Sequence, residues 1–213
     1  MLTNIGYVVG YDDNQRHDPK WVCYRLFAVN NLKAPPRPQG FSVDGRTRSR
    51  IASADYTGSK FDRGHCAPNY AIAVCYGAAA QLETFYMSNI LPERPSLNRE
   101  VWERLEQKEI KEYAQQFKEI WVTTGPVFFG HDEHLRHDVD VPDACYKIIA
   151  DEENGRVRVL AFIIPQTVKG DEDAARFLTS VDEVEKKTGL AFMSDLPDDV
   201  ENRVEAGVAS GMW

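Results

Sequence analysis

The sequence predicts an α+β fold in which a largely antiparallel central sheet is flanked by helices. Strand-like and helix-like segments are interleaved without the regular rhythm of parallel βαβ units. The apolar runs CYKIIA and VRVLAFII flank the turn-forming pair Asn154-Gly155, which predicts a β-hairpin. Residues 98–118 carry apolar side chains at helical spacing, which predicts one long amphipathic helix. At 213 residues, the chain is expected to form a single domain, 1–213, with a sizeable core.

The other predicted strands are apolar runs bounded by turn residues. Residues 20–29, KWVCYRLFAV, are rich in β-branched and aromatic side chains and predict a strand. Residues 34–46 form the next segment, a loop rich in proline and glycine. Residues 119–129, EIWVTTGPVFF, predict a buried strand that is broken at Gly125-Pro126.

The long helix carries polar side chains close to its apolar face. That face consists of Val101, Trp102, Leu105, Ile110, Tyr113, Ala114 and Phe117. Asn98 precedes Leu105 by seven residues, so it is expected on the same side of the helix. Glu106 is expected about 80° around the axis from Asn98 and roughly 12 Å along it. On this pattern alone, Asn98 as a plain N-cap and Glu106 as a solvent-facing rim residue stay open as alternatives.

A shorter helix is expected over residues 181–188. Ser180 and Glu183 have the spacing of a capping box, and Gly189 is placed to end the helix. This helix belongs to an acidic stretch, residues 171–205, that contains eleven acidic and four basic side chains.

The charge of the chain is unevenly distributed. A net charge of −8 argues against a protein that is held to nucleic acid by bulk positive charge. Residues 33–63 nevertheless contain seven Lys or Arg and three Asp, a local charge of +4 that leaves −12 on the rest of the chain. On charge alone, a random basic cluster beside a solvated acidic face explains this pattern equally well.

Neither targeting signals nor cysteines define a compartment. No apolar run reaches the roughly 18 residues of a membrane span, so no membrane association is expected. Residues 1–11 lack the basic start and the long apolar stretch of a signal peptide, although a removed leader would leave the same pattern. The four cysteines, at positions 23, 66, 75 and 145, lack zinc-like spacing. Free thiols are expected, with a Cys66–Cys75 pair as the alternative.

The stretch FDRGH, residues 61–65, combines an acid, a guanidinium and an imidazole, and the polar residues downstream of it make it a candidate site. Asn89, Asn98 and Glu106 come next, at intervals of nine and eight residues. Together with Arg63 and His65 they offer a base, a cation, neutral oxygen ligands and a carboxylate within one short segment.

These residues carry a resemblance to a known family. The matching motifs are Asp62-Arg63-Gly64-His65, Ser88-Asn89 with Pro92, Leu97-Asn98-Arg99, Trp102-x-x-Leu105-Glu106, ADYTG at 54–58, TGP at 124–126 and the late VDEVEKKTGL…LPDDV. In order and spacing they resemble the DNA/RNA non-specific endonucleases of the ββα-metal class, which include endonuclease G and the Serratia-type nucleases. The resemblance implies a ββα-metal motif and a metal-dependent endonuclease that hydrolyses phosphodiester bonds of DNA and RNA without sequence preference.

The resemblance also implies a role for each site residue. His65 would be the general base that activates water, for which an imidazole is suited by its near-neutral pKa. Asn98 would be the one direct protein ligand of Mg²⁺, for which Mn²⁺ is a substitute, and Glu106 would hold a metal-bound water. Arg63 would hold the phosphate, and Asn89 would position groups around the metal or water.

A second phosphate-binding arginine is implied upstream of the DRGH motif. Arg37 is the candidate, and Arg46, Arg48 and Arg50 are the alternatives. Asp62 is expected to support the loop or Arg63 rather than to act in the chemistry.

Two features depart from the simple pattern. Glu93 stands where the family usually has glutamine, and an additional carboxylate beside a phosphate site would repel substrate or recruit metal. His131, His134 and His137 have spacing that resembles a transition-metal site, but a variable surface loop is the favoured interpretation. His17 is expected in a solvated loop.

Two further functions remain as alternatives. One is a catalytically weak nucleic-acid-binding protein of the same fold, which would be expected to have lost His65 or Asn98, and the other is a small-phosphodiester hydrolase. From the resemblance, the expected partners are DNA and RNA substrates, a second copy of the chain in a homodimer, and an inhibitor or immunity protein. The resemblance favours a secreted or periplasmic location.

Overall fold

The computed structural model describes residues 1–130 and 133–213. Within them the strands are β1 Leu2–Asn4, β2 Tyr7–Asp12, β3 Asp18–Phe27, β4 Asp62–His65, β5 Ile90–Glu93, β6 Glu119–Val127, β7 Ala144–Glu153, β8 Arg156–Pro165 and β9 Leu178–Thr179. Seven of these strands form one antiparallel sheet in the order β1-β2-β3-β6-β7-β8-β9, and β4 pairs with β5 in a separate two-stranded sheet.

The helices lie between and after these strands. They are α1 Asn69–Tyr76, α2 Ala78–Glu83, α3 Glu103–Lys108, α4 Ala114–Phe117, α5 Val181–Thr188 and α6 Asp198–Ala206. Two π-helical segments, Leu97–Trp102 and Glu109–Tyr113, join α3 and α4 into one continuous long helix over residues 97–117. Short 3₁₀ turns occur at Ser53–Tyr56, Met87–Asn89, Arg136–Asp138 and Ala174–Phe177. The predicted α+β fold with its largely antiparallel sheet is confirmed.

The hairpin at Asn154-Gly155 forms as predicted, and the strand before it is unbroken. Asn154 and Gly155 both have positive φ, 55° and 76°, as a two-residue turn between β7 and β8 requires. The prediction of a break at Gly125-Pro126 is wrong, because both residues remain paired with β7. The pairing of β6 with β3 ends at Thr124. On the β3 side, Pro126 is therefore unpaired, and the backbone N–H that proline lacks is not needed there.

The sheet has a hydrophobic core on each face. On one face, Cys145 and Ile149 belong to the main core together with Leu97, Val101 and Leu105 of the long helix. On the other face, residues such as Tyr146 and Ile148 pack against Val181 and Val184 of α5. The long helix and α5 therefore lie on opposite faces of the same sheet.

Helix α5 has the ends that its sequence predicts. The Ser180 side chain accepts a hydrogen bond from the Glu183 backbone N–H at 3.2 Å, and Gly189 comes directly after the last turn with φ of 70°. Both interactions satisfy backbone groups that a helix leaves unpaired at its ends.

An ion pair is buried beneath the long helix. Lys147 on β7 and Glu109 are both fully inaccessible, and Lys147 Nζ lies 2.6 Å from Glu109 Oε1. The Tyr24 hydroxyl donates to the other carboxylate oxygen at 2.7 Å, and Lys147 Nζ lies 4.5 Å from the centre of the Trp102 ring. The Glu109 carboxylate thus has a partner at each oxygen, as a buried charge needs.

All four cysteines are free thiols. The expected free state is therefore found, and the alternative Cys66–Cys75 pair is absent from the described structure. Cys66 and Cys145 are buried in the main core, and burial raises the pKa of both thiols well above the usual value.

Candidate active site

The ββα unit that the resemblance predicts is formed by β4, β5 and the start of the long helix. β4 and β5 pair antiparallel with Asp62 opposite Glu93 and His65 opposite Ile90. The helix starts four residues after β5 ends, and the side-chain amide of Asn98 on its first turn donates to Asp62 at 3.0 Å. This hydrogen bond fixes the first strand of the unit to its helix.

A cavity of about 290 Å³ opens beside this unit, and most of the predicted site residues line it. Its walls are formed by Arg37, Arg63, His65, Asn69, Tyr70, Asn98, Arg99, Glu103, Glu106 and Gln107. Four buried polar atoms of these residues have no hydrogen-bond partner within the described structure: Arg63 Nε, His65 Nε2, Asn69 Oδ1 and Gln107 Oε1. Since buried polar atoms rarely stay unpaired, this concentration marks a place where water or a ligand binds.

His65 ends β4 with its ring held between two aromatic side chains. The ring centres of Phe41 and Phe85 lie 5.4 and 5.0 Å away, and only 9% of His65 is exposed. Burial, with a further contribution from the positive charge of Arg37, lowers the pKa of His65 to about 3. The imidazole is therefore neutral at physiological pH and has a lone pair available to accept a proton.

Asp62 orients Asn98. Its carboxylate accepts from Asn98 Nδ2 at 3.0 Å and from Arg99 Nε and an Arg99 terminal nitrogen at 2.7 and 2.6 Å. Burial alone would raise the pKa of Asp62, but these hydrogen bonds outweigh it and lower that pKa. Because the amide nitrogen is bound to Asp62, the Asn98 oxygen is the group left for a ligand.

Glu106 lines the cavity two turns further along the helix. Burial raises the pKa of its carboxyl well above the usual value, the nearby acids Glu109, Glu93 and Glu103 raise it further, and Lys147 opposes them. The amide oxygen of Asn98 and the carboxylate of Glu106 form an all-oxygen donor set, which suits Mg²⁺ or Mn²⁺. A divalent cation would also favour the ionised form of Glu106.

Arg63 and Arg37 line the cavity and are held in place by different contacts. Arg63 donates through one terminal nitrogen to the Ser53 carbonyl, and its Nε stays free of partners within the described part of the chain. The Arg37 guanidinium lies 5.1 Å from the centre of the Phe85 ring, which also packs on His65. Arg37 thus lines the cavity as predicted.

The alternatives to Arg37 do not line the cavity. Arg46 is bound to both carboxylate oxygens of Asp44, at 2.8 and 2.7 Å, and also to the Thr3 carbonyl and the Asn4 side chain. Its donors are therefore already occupied, and neither Arg48 nor Arg50 belongs to the cavity wall.

Asn89 is the one predicted site residue that does not line the cavity. It is fully buried, and its amide bonds to backbone: the oxygen accepts from Ala67 N at 2.9 Å, and the nitrogen donates to the Ala67 and Thr84 carbonyls at 3.0 Å each. Its own carbonyl accepts from Cys66 N at 2.9 Å. Asn89 thus fixes the backbone of Cys66 and Ala67, the two residues directly after His65.

Glu93 is buried behind β4 and does not line the cavity. A Cβ added to Gly64 would lie 2.2 Å from the Glu93 carboxyl carbon, so a larger residue at this position would force the Glu93 side chain to move. Burial raises the pKa of Glu93 to about 8, and the Cys145 thiol donates weakly to it at 3.9 Å. At neutral pH, Glu93 is a neutral acid enclosed by protein rather than a charge that faces a phosphate.

Five residues of the cavity wall were not among the predicted site residues: Asn69, Tyr70, Arg99, Glu103 and Gln107. Arg99 belongs to the Leu97-Asn98-Arg99 motif, but its bidentate contact with Asp62 depends on tertiary pairing. Asn69 and Tyr70 begin α1, which comes directly after the segment held by Asn89. No sequence signal distinguishes Asn69, Tyr70, Glu103 and Gln107 from ordinary surface positions.

Three other histidines, His17, His134 and His137, bond to nearby polar groups. His134 Nδ1 lies 2.6 Å from Asp140, and His137 Nδ1 lies 2.7 Å from Asp55. His17 Nδ1 lies 2.9 Å from the His137 carbonyl. His131, the first residue of the H-x-x-H-x-x-H pattern, lies outside the described residues.

A ββα unit that presents a neutral histidine, arginines and an oxygen-donor pair to one cavity has the groups that metal-assisted hydrolysis of a phosphodiester requires. Sequence comparison agrees, because the family described as DNA/RNA non-specific endonuclease matches residues 1–199. The chain belongs to this family.

Individual relatives show the same relationship. The nuclease of Serratia marcescens is 31% identical over 192 residues, which cover 85% of this chain and 70% of the relative. Mitochondrial endonuclease G of Bos taurus is 28% identical over 222 residues, covering 92% of this chain and 70% of the relative. Mitochondrial nuclease EXOG of Xenopus laevis is 29% identical over 213 residues, and this chain spans only 58% of its length.

A solved structure confirms the fold. The chain is similar to a crystal structure of the EndoG/EndoGI complex, described as showing the mechanism of EndoG inhibition, with a TM-score of 0.82 and 25% identity. The similarity covers 93% of this chain and 87% of the other. Among the described residues, no helix is both long and apolar enough to cross a membrane.

Proposed function

We propose that the protein hydrolyses internal phosphodiester bonds of DNA and RNA with little sequence preference and with the help of Mg²⁺. The observation that carries the proposal is the cavity in which a neutral His65, the free oxygen of Asn98 and the guanidinium of Arg63 meet. These groups recognise a phosphate, a metal ion and a water rather than base edges, and phosphate contacts carry no sequence information.

His65 acts as the general base in this proposal. Its Nε2 has no partner among the described residues and is free to accept a proton from the attacking water. A pKa of about 3 makes the isolated imidazole a weak base. A bound phosphate adds negative charge beside the ring and offsets Arg37, and both effects raise the pKa toward neutrality.

Asn98 and Glu106 hold the metal ion in this proposal. The Asn98 oxygen binds it directly, and Glu106 binds it through water, in keeping with the reluctance of Mg²⁺ to give up its waters. When bound, the ion supplies positive charge that stabilises the charge developing on the phosphate and the leaving oxygen. Mn²⁺ prefers similar oxygen ligands and is expected to substitute.

Arg63 and Arg37 hold the scissile phosphate. One terminal nitrogen of Arg63 donates to the Ser53 carbonyl, so the orientation of its remaining N–H donors is fixed before a phosphate binds. Arg37 is placed on the Phe85 ring, which keeps the guanidinium beside His65. Asn89 supports the reaction indirectly, because it fixes the backbone directly after His65.

Other partners are expected from the same family. The similarity to an EndoG/EndoGI complex supports a protein inhibitor as a partner. The homodimer and the secreted or periplasmic location stay predictions.

The test is cleavage of plasmid DNA and of RNA by the purified protein with Mg²⁺, with EDTA and in the variant His65→Ala. We expect both substrates to be cut with Mg²⁺, and we expect EDTA to abolish cutting. Loss of a general base is expected to lower the rate about 10²–10⁴-fold. His134→Ala serves as the control, because His134 is an exposed histidine that does not line the cavity.

The outcomes separate the alternatives. Full activity of His65→Ala would exclude the proposed mechanism. Nucleic acid that is bound but left intact with every divalent metal would identify a catalytically weak binding protein. Turnover of a small phosphodiester without cleavage of DNA or RNA would identify a small-phosphodiester hydrolase.

A further inference from the structure

Three carboxylates converge between the two C-terminal helices. Asp182 and Glu185 lie on α5, and Glu205 lies on α6. One oxygen from each residue lies within 4.8 Å of those of the other two. The cluster belongs to the helix that packs on the opposite face of the sheet from the long helix, so it is separate from the candidate active site.

Glu205 is the buried member of this cluster. Only 6% of the residue is exposed, and its Oε1 has no hydrogen-bond partner in the described chain. Its charged neighbours are Glu185, Glu201 and Asp182, all acidic, and together with burial they raise the pKa of Glu205 to about 7. A buried carboxylate that faces only other carboxylates needs either a proton or a cation.

The cluster is held in place by its surroundings. Asp182 and Glu185 are three residues apart on α5 and therefore project from the same side of the helix. Glu185 Oε1 accepts the Phe192 backbone N–H at 2.6 Å, which fixes the side chain and leaves its second oxygen free. Asp182 is exposed, so an ion can enter from solvent.

We propose that Asp182, Glu185 and Glu205 bind a Ca²⁺ ion that joins α5 to α6. All three ligands are carboxylate oxygens, which are the ligands that hard divalent cations prefer. Oxygens on opposite sides of Ca²⁺ are about 4.6–5.2 Å apart, whereas those around Mg²⁺ are about 4.0–4.2 Å apart. Only one pair of the three ligands can lie on opposite sides of an ion, and all three oxygens lie within 4.8 Å of one another, so side-chain rotations bring them to the longer Ca²⁺–O distance more readily than to that of Mg²⁺.

The bound ion has a structural role. It neutralises the charges that otherwise oppose the packing of α6 beside α5, and α5 in turn covers one face of the sheet through Val181 and Val184. Ca²⁺ thereby stabilises the folded chain without contact with the catalytic groups. Because the site has three carboxylates and lacks a Ca²⁺-binding loop such as that of an EF-hand, a dissociation constant of about 10⁻³ M is expected.

The experiment measures the melting temperature of the full chain in the background Asn98→Ala, which weakens the proposed active-site ion site. We expect 10 mM Ca²⁺ to raise it by about 3–6 °C, given that affinity and a domain of this size. We expect the same concentration of Mg²⁺ to raise it by less than half as much. Adding Glu205→Gln is expected to abolish the Ca²⁺ shift.

Glu183→Gln is the matched control. It removes a carboxylate from the same helix, but Glu183 pairs with Lys186 and Lys187 instead of joining the cluster. This variant must keep the Ca²⁺ shift. In Ca²⁺-free buffer, Glu205→Gln must melt no lower than the parent, because the substitution removes a buried repulsion without removing a hydrogen bond. Absence of a shift in the parent, or a shift that persists in Glu205→Gln, would overturn the proposal.

Discussion

The substitution Glu93→Gln tests whether folding keeps a buried carboxyl group protonated at neutral pH. Glu93 is 1% exposed, lies against Gly64 and is absent from the cavity wall. Burial raises its pKa to about 8, so the folded chain keeps the proton at neutral pH. Glutamine has nearly the same shape and is neutral at every pH. The substitution therefore removes the titration and keeps the packing.

The expected size of the effect is set by the two pKa values. In the unfolded chain the carboxyl ionises near its ordinary pKa of 4.5, and in the folded chain it ionises near 8. Between these values the folded state binds more protons, so stability falls as pH rises, by up to about 1.4 kcal/mol per pH unit. The parent should thus lose about 3–6 kcal/mol relative to Glu93→Gln between pH 4.5 and pH 8.

The assay is urea unfolding of the parent and of Glu93→Gln at pH 5, 6, 7 and 8. The difference in unfolding free energy should move in favour of the variant at each step, with unchanged m-values. Glu112→Gln, which removes an exposed carboxylate together with its surface ion pair to Lys108, is the control for the loss of a negative charge outside the core. A pH-independent difference between parent and Glu93→Gln would refute the reasoning, because it would mean that Glu93 does not change its protonation on folding.

Three further substitutions test the site and its support. Asp62→Asn replaces one of the two acceptor oxygens that hold Asn98 and Arg99 with a donor, so the Mg²⁺ concentration for half-maximal plasmid cleavage should rise about 10–100-fold in a metal titration. Lys147→Met leaves Glu109 buried without its cation, and urea unfolding should show a loss of about 3–5 kcal/mol. His65→Gln removes an imidazole whose pKa is lowered to about 3 by folding. The unfolded parent therefore binds a proton that the folded parent does not, so between pH 6.5 and pH 5 the parent should lose about 2 kcal/mol more stability than the variant.

Local rules predicted the parts of the fold that depend on neighbouring residues. Asn154-Gly155 formed its hairpin turn, and Ser180 capped α5, because each needs only a few adjacent side chains. The break predicted at Gly125-Pro126 failed for the opposite reason. Whether a strand tolerates proline depends on which neighbour it has at that position, and that is a property of the assembled sheet.

The site was predictable in its residue types but not in its full geometry. An ideal α-helix places Asn98 and Glu106 about 80° apart. The first helical segment is π-helical, with hydrogen bonds that span five residues, so the chain turns less per residue and the two side chains come closer to one face. Both line the cavity. The roles of Glu93 and Asn89 depend on burial, which their neighbours in sequence do not determine.

The arrangement of charge explains how an acidic chain can act on a polyanion. Arg37 and Arg63 lie at the cavity, whereas Arg46 is occupied by Asp44, so only part of the basic segment 33–63 faces the site. Burial keeps Glu93 neutral, and many of the other acids lie on the helices at the opposite face of the sheet. Since exposed charges are screened within about 8–10 Å, the field at the cavity is set by the arginines and the two acids, Glu103 and Glu106, of its own wall rather than by the net charge of −8. We therefore predict that affinity for nucleic acid depends on Arg37 and Arg63 more than on the net charge of the chain.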